Sequence, residues 1–206
     1  MSPTRSERPG RTGRYHHGDL KAALIDVAVE LIAERGVRDF SLAEASRRLG
    51  VTVAAPYRHF ADRDELLAAV AVRALGTLEA ALAAEVTGGD PPERRLAAIA
   101  GGYVRFATAH RPLFETLLRS GIDKDRFPEV RRAAEPMESL FTSCVLTVCG
   151  DDPGVAAVLA GAVLATAHGY ATLLLDGTAG GGVEVSPAAA EGAVLALVKG
   201  RSALPE

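Results

Sequence analysis

Apolar residues recur along this chain at steps of three and four, and strict alternation of useful length is absent. Leu20, Leu24, Val27 and Leu31 form one stripe, with Ile25, Ala28 and Ile32 beside it. That period belongs to a helix with one buried face. It predicts a first helix from residue 18 or 19 to Gly36, with Asp19 as N-cap and Gly36 as the stop. A second, short helix starts at Ser41 and ends at Leu49-Gly50. Its opening Ser41-Leu42-Ala43-Glu44 predicts a reciprocal capping box. A third is expected from Thr52 or Val53 to Phe60, where Pro56 is tolerable only near the start. A fourth opens at Asp62-Arg63-Asp64-Glu65 and carries Leu66, Val70, Leu75, Leu78 and Leu82.

The remainder reads as further helices over residues 92–109, just after Pro112, 128–148, 153–175 and 187–199, with a glycine-rich loop at 177–186. The fold class is therefore all-α. Residues 155–175 carry no charged side chain and are long enough to span a bilayer. Their Ala, Gly and Thr content, with His168 and Tyr170, acidic flanks and no flanking Lys/Arg cluster, favours a helix buried on most sides within a bundle. No membrane partner is expected.

Charge changes the picture. Residues 1–63 hold 11 Lys+Arg against 8 Asp+Glu, whereas residues 64–206 hold 12 against 18. A positive first third on an acidic body suggests that the first third meets an anion. Residues 1–14 read as a flexible basic arm, broken by Pro3, Pro9, Gly10 and Gly13 and charged by Arg5, Arg8, Arg11 and Arg14. A merely solubilising tail fits the arm as well. The arm has no apolar stretch of signal-peptide type. Cys144 and Cys149 point apart on a helix, and two thiols fit a reducing cytosol. His16 and His17 lack carboxylate or thiol partners, so no metal is expected. No nucleophile with a base, no paired acids and no phosphate loop point to an enzyme, and no cofactor motif is present.

The informative stretch is Ser41 to Phe60: a capped helix, a turn at Gly50-Val51-Thr52 and a second short helix. This spacing is that of a helix-turn-helix. The N-terminus of its first helix can meet a phosphate, and its second can present residues to base edges in the major groove. Arg47, Arg48, Arg58 and His59 supply positive charge or donors nearby, and the Tyr57 hydroxyl can reach a phosphate. On spacing alone an ordinary helical hairpin fits equally well, and Tyr57 and Phe60 also suit a small domain's core.

Residues Tyr15-His16-His17-Gly18-Asp19-Leu20, Phe40-Ser41-Leu42, Leu49-Gly50-Val51, Pro56-Tyr57-Arg58-His59-Phe60 and Asp64-Glu65-Leu66-Leu67 together resemble the DNA-binding domain of the tetracycline-repressor (TetR) family. Ala167-His168-Gly169 resembles the Trp-His-Gly signature of one C-terminal subfamily, with Ala167 in place of the Trp. The resemblance implies a three-helix DNA-binding domain over residues 15–62 and a helical ligand-binding and dimerisation bundle over 63–206. It implies a cytoplasmic, nucleoid-associated homodimeric repressor that leaves a near-palindromic double-stranded operator when a small-molecule effector binds. On matching positions, Ser41, Thr52, Tyr57 and His59 would touch the sugar-phosphate backbone, with Val53, Ala54 and Arg58 at or near the bases. Val53 and Ala54 suit thymine methyls. Arg47, Arg63, Arg11 and Arg14 would add cations. Small residues Gly161, Ala165 and Gly169, with Val194, Leu197 and Val198, are the expected dimer interface. Phe106, Phe114, Leu117, Phe141 and His168 are candidate ligand contacts. A satisfied core or interface histidine also accounts for His168.

Overall fold

The computed structural model describes residues 17–86, 88–150, 152–178, 182 and 184–200. The arm at residues 1–14, including Arg11 and Arg14, lies outside the described residues, as do parts of the glycine-rich loop. Among the described residues the chain is helical without strands: α1 (His17–Arg35), α2 (Leu42–Leu49), a 3-10 turn (Pro56–Arg58), α3 (Arg63–Glu85), α4 (Pro92–Ala109), α5 (Arg111–Arg119), α6 (Pro128–Cys149), α7 (Pro153–Asp176) and α8 (Pro187–Lys199).

Local chemistry sets most of these boundaries. Ser41 accepts from the Glu44 amide at 3.2 Å, Asp62 from Glu65 at 2.9 Å and Ser186 from Ala189 at 3.0 Å. Asp152 holds two amides at the start of α7, those of Gly154 and Val155. Such caps satisfy amides that have no partner within the helix. The expected reciprocal box at Ser41 forms only by half. The Glu44 carboxylate pairs with Arg35 at 2.6 Å instead of reaching back, because a full opposite charge on α1 outcompetes a neutral amide. Helix α1 begins two residues ahead of Asp19, which therefore sits within its first turn and not at the cap.

The core runs continuously from the small N-terminal head into the body. In the head, Leu24, Ala28, Leu31 and Ile32 of α1 meet Phe40, Leu42, Ala45, Phe60, Leu66 and Leu67. In the body, α4 lies against α3, α7 and α8, while α3 also packs along α6. Helix α3 therefore serves both regions: Leu66, Leu67 and Val70 belong to the head end, and Leu78 and Leu82 to the body end. Each such fully buried aliphatic side chain contributes roughly 1.5–3 kcal/mol.

Two expectations for the C-terminal helices change. Both α3 and α7 are long and apolar enough, by length and composition, to cross a membrane. Helix α7 is not buried on most sides within the single chain: only 22% of its most apolar window is covered. Its inner edge (Ala156, Leu159, Val163, Ala167, Ala171) packs inward, and Val158, Leu164 and Leu173 stand outside. Val194 and Val198 of α8 are both fully buried in the chain's own core and are unavailable to a partner. A helix presents only one edge to each neighbour, and α4 and α7 occupy the edge that holds these valines.

Candidate nucleic-acid interface

Helix α2 ends at Gly50, whose backbone is left-handed at φ 67°. The Gly50 amide donates to the Arg47 carbonyl and the Val51 amide to Ser46, which turns the chain back within two residues. A side chain at Gly50 would be strained by this conformation. The buried Ser46 hydroxyl donates to the Leu42 carbonyl at 2.8 Å, so the inner face of α2 leaves this polar group paired.

The expected third helix is much shorter than residues 52–60. The Ala55 amide donates to Thr52 at 3.0 Å, and only Pro56–Arg58 has helical character, of the 3-10 kind. Pro56 has no N–H, so an α-helix starting at Thr52 could not form its first rung. Pro56 and Phe60 are buried and anchor the turn from beneath. Between and before them, Thr52, Val53, Ala54, Tyr57 and Arg58 are exposed. Val53 is 52% exposed and Tyr57 54%, which is unusual for side chains of their size in this chain. Tyr57 is thus a surface residue and Phe60 the core residue, which resolves the two readings the sequence left open. His59 is half-buried and closes the turn through its amide, which donates to Pro56 at 2.8 Å.

The cations around this turn are not equivalent. Arg48 is held by Glu34 through two 2.7 Å bonds, which lower the Glu34 carboxyl below its ordinary range. Arg47 and Arg58 are exposed and form no ion pair among the described residues. Arg63 is engaged within the chain. Its Nε donates to the Phe40 carbonyl at 3.1 Å, its Nη2 donates to the Val37 carbonyl, and the guanidinium lies 4.7 Å above the Phe40 ring. Arg63 therefore ties α3 to the α1–α2 connector. The fixed fork of the guanidinium suits two carbonyls that would otherwise lack donors.

In the body, two of the five candidate ligand contacts come together around a residue that sequence reasoning missed. The Tyr103 hydroxyl and His168 Nδ1 are 3.2 Å apart, with Phe114 edge-on to Tyr103 at 5.6 Å and 6.0 Å from His168. Burial pushes the Tyr103 phenol up to about 12. His168 accordingly has a polar partner inside the chain. Phe106 is buried elsewhere, against His110 at 5.5 Å, while Leu117 and Phe141 are half-buried at the edge of the core. Tyr103 was detectable in principle: it stands one turn from Ile99 and one from Ala107, a polar tip on the buried face of α4.

Between α7 and α8 runs an open groove of about 680 Å³, lined among others by Ala165, Gly169, Leu173, Ala193, Ala196 and Leu197. Of the expected interface residues, Ala165, Gly169 and Leu197 line this groove, and Gly161 is exposed one turn before Ala165 on α7.

Residues 24–70 match the family model of bacterial regulatory proteins of the tetR family, and residues 96–197 match the model of the tetracyclin repressor-like C-terminal domain. The narrower Trp-His-Gly resemblance at residues 167–169 is not carried by that second match. A solved protein of unknown function from Rhodococcus sp. RHA1 is 34% identical, with 91% of this chain and 98% of that one covered at a TM-score of 0.74. The TetR family regulator PfmR from Thermus thermophilus shares the fold at 21% identity, covering 89% and 98% at a TM-score of 0.62. A TetR-like transcriptional regulator from Rhodococcus sp. RHA1 does so at 20% identity, covering 93% and 100% at 0.69. No curated protein gives a significant match.

Proposed function

The chain belongs to the TetR family of DNA-binding transcriptional regulators, and from that premise we propose that it is a homodimeric repressor released from its operator by a small molecule. The observation that carries the DNA-reading half is the turn at residues 52–58. Val53, Ala54, Tyr57 and Arg58 point outward from a base fixed by Pro56 and Phe60. Arg58, Val53 and Ala54 are the side chains for base edges, the first through hydrogen bonds and the others through thymine methyls. Ser41 uses only an acceptor lone pair in its cap, so its O–H remains a donor for phosphate. Thr52, Tyr57 and His59 join it on the sugar-phosphate backbone, and Arg47 with the arm residues Arg11 and Arg14 adds counterion-releasing charge. Arg63 contributes by fixing the head, not by touching DNA.

The exposed edge of α7 and the α7–α8 groove support the dimer. A second copy would cover Val158, Leu164 and Leu173 by two-fold symmetry. Two reading turns would then meet half-sites about 34–36 Å apart, or further for a wider site. Effector binding near Tyr103, Phe114 and His168, on α4, α5 and α7, would shift α3 and change the separation of the heads. This requires an effector with unequal affinity for the two spacings. The family acts as non-enzymatic regulators, and we place this one in the cytoplasm on the nucleoid.

The test is capture of genomic duplexes from the source organism by purified protein at low ionic strength without effector. Paired half-sites, with affinity falling steeply as salt rises, are expected. Indifference to every duplex under those conditions would end the reading.

A further inference from the structure

Far from the reading turn, one cation joins three helices. Arg105 of α4 binds Glu85, the last residue of α3, at 2.7 Å, and Glu191 of α8 at 3.0 Å. The two carboxylates reach it across a bare strip of α4 formed by Gly101 and Gly102. A Cβ at Gly101 would stand 2.0 Å from Glu191 Oε1, and one at Gly102 would stand 2.9 Å from Glu85 Cγ. Both glycines are buried in mid-helix, where each weakens α4 relative to alanine. The ion pairs themselves are partly exposed, with side chains 33–41% accessible, and pairs of that kind add little stability. Stability alone thus gives no reason for two helix-weakening glycines to shelter them. Geometry does: the arrangement locks the far end of α3 to the helix that lines the α7–α8 groove.

Resting on the dimeric DNA-reading function above, we propose that Arg105 is a positioning residue. Bound to Glu85 and Glu191 at once, it fixes the angle between the head-bearing helix and the dimer-forming helix, and so sets the spacing of the two reading turns on DNA. Helix α3 is a lever of 23 residues, about 35 Å long. A tilt of roughly 6° about its clamped end moves the head by about one base-pair step.

The test uses the full chain and duplexes selected by the wild type from a random pool. Each selected duplex is remade with one base pair inserted or removed between its half-sites. Wild type should discriminate against the altered spacings, and Glu191→Gln should lose that discrimination by about tenfold. Gly101→Ala should do the same while keeping every charge, because its methyl displaces the flexible Glu191 side chain. It also favours the helix, so it serves if Glu191→Gln folds poorly. Dimer dissociation by sedimentation and affinity for a single half-site should stay near wild type in both variants. Unchanged spacing discrimination in Glu191→Gln and Gly101→Ala overturns the clamp. A wild type that selects no paired half-sites overturns the dimeric reading and the clamp with it.

Discussion

The reading turn and the outer edge of α7 both expose large apolar side chains, yet they call for different partners. At the turn, Val53 and Tyr57 are about half exposed and share the surface with Arg47 and Arg58. On α7, Val158, Leu164 and Leu173 are 41%, 55% and 40% exposed, and residues 155–175 contain no charge. A polyanion requires cations beside any apolar contact, since neutralised phosphates supply most of the binding. A second copy of the same helix requires none, and like charges there would repel across the two-fold axis. Exposure is similar in both places; the neighbouring charges set the two surfaces apart.

The largest effect is expected from a charge placed where α7 has none. Leu164→Glu should abolish the dimer, because two carboxylates would be buried unpaired at the symmetric contact, at about 3–5 kcal/mol. Sedimentation equilibrium should report monomers at micromolar protein, with helicity by circular dichroism retained. Operator affinity should fall with it, since each head alone has half the contacts. A stable dimer in this variant would place the interface elsewhere.

At the turn the expected effects are smaller and depend on which cation is removed. Arg58→Ala should cost about 1–3 kcal/mol at the selected site and relax preference at the base it reads. Arg47→Ala should weaken all duplexes alike and reduce the slope of log affinity against log salt by about one for each phosphate left without its cation. Arg63→Ala should act differently again. It frees the carbonyls of Val37 and Phe40, so thermal stability of the head should drop before any DNA is added. Gel shifts across a salt series, with melting curves on the same samples, separate the three.

How far the sequence anticipates this follows from the range of each interaction. Helices with a clear apolar stripe and a Ser, Asp or Gly at the ends are legible because capping and periodicity are local. The shortened third helix was half legible: Pro56 marked the problem, but the choice between a kinked helix and a 3-10 turn depends on Phe60 and Pro56 seating in the core. Partner choice was not legible. Glu44 with Arg35, Arg63 with the Val37 and Phe40 carbonyls, and Tyr103 with His168 join residues 9 to 65 positions apart. Which edge of α8 faces inward is likewise set by α4 and α7, so Val194 and Leu197 look alike in sequence and separate in the fold.

A subtler probe of the turn alters the DNA alone. Replacing thymine by uracil within a selected half-site removes one methyl and keeps every hydrogen bond. If Val53 and Ala54 meet that methyl, affinity should fall by about 0.8 kcal/mol per methyl, or roughly fourfold. Val53→Ser should shrink the difference between the thymine and uracil duplexes. A wild type indifferent to all such replacements would leave Arg58 as the base reader and make the exposed valine a backbone neighbour.

The smallest effect lies where head and body join. Asp62 caps α3 through the Glu65 amide and binds Arg126, which also lies 3.5 Å from Asp64 and 4.8 Å above the Phe127 ring. The Glu65 amide first, and Arg126 second, hold the Asp62 carboxyl below its ordinary value of 3.8. A depressed acid stabilises the fold fully above that ordinary value and loses the contribution as pH falls through the lowered one. Asp62→Asn keeps a good cap and removes only the charge. Since both partners of the ion pair are over 40% exposed, the melting temperature should fall by roughly a degree or two at neutral pH, and less in high salt. The gap between wild type and variant should then close on acidification below pH 3.8. A gap that widened there would mean that protonated Asp62 is the stabilising form, and Arg126 would not be its partner at the junction of head and body.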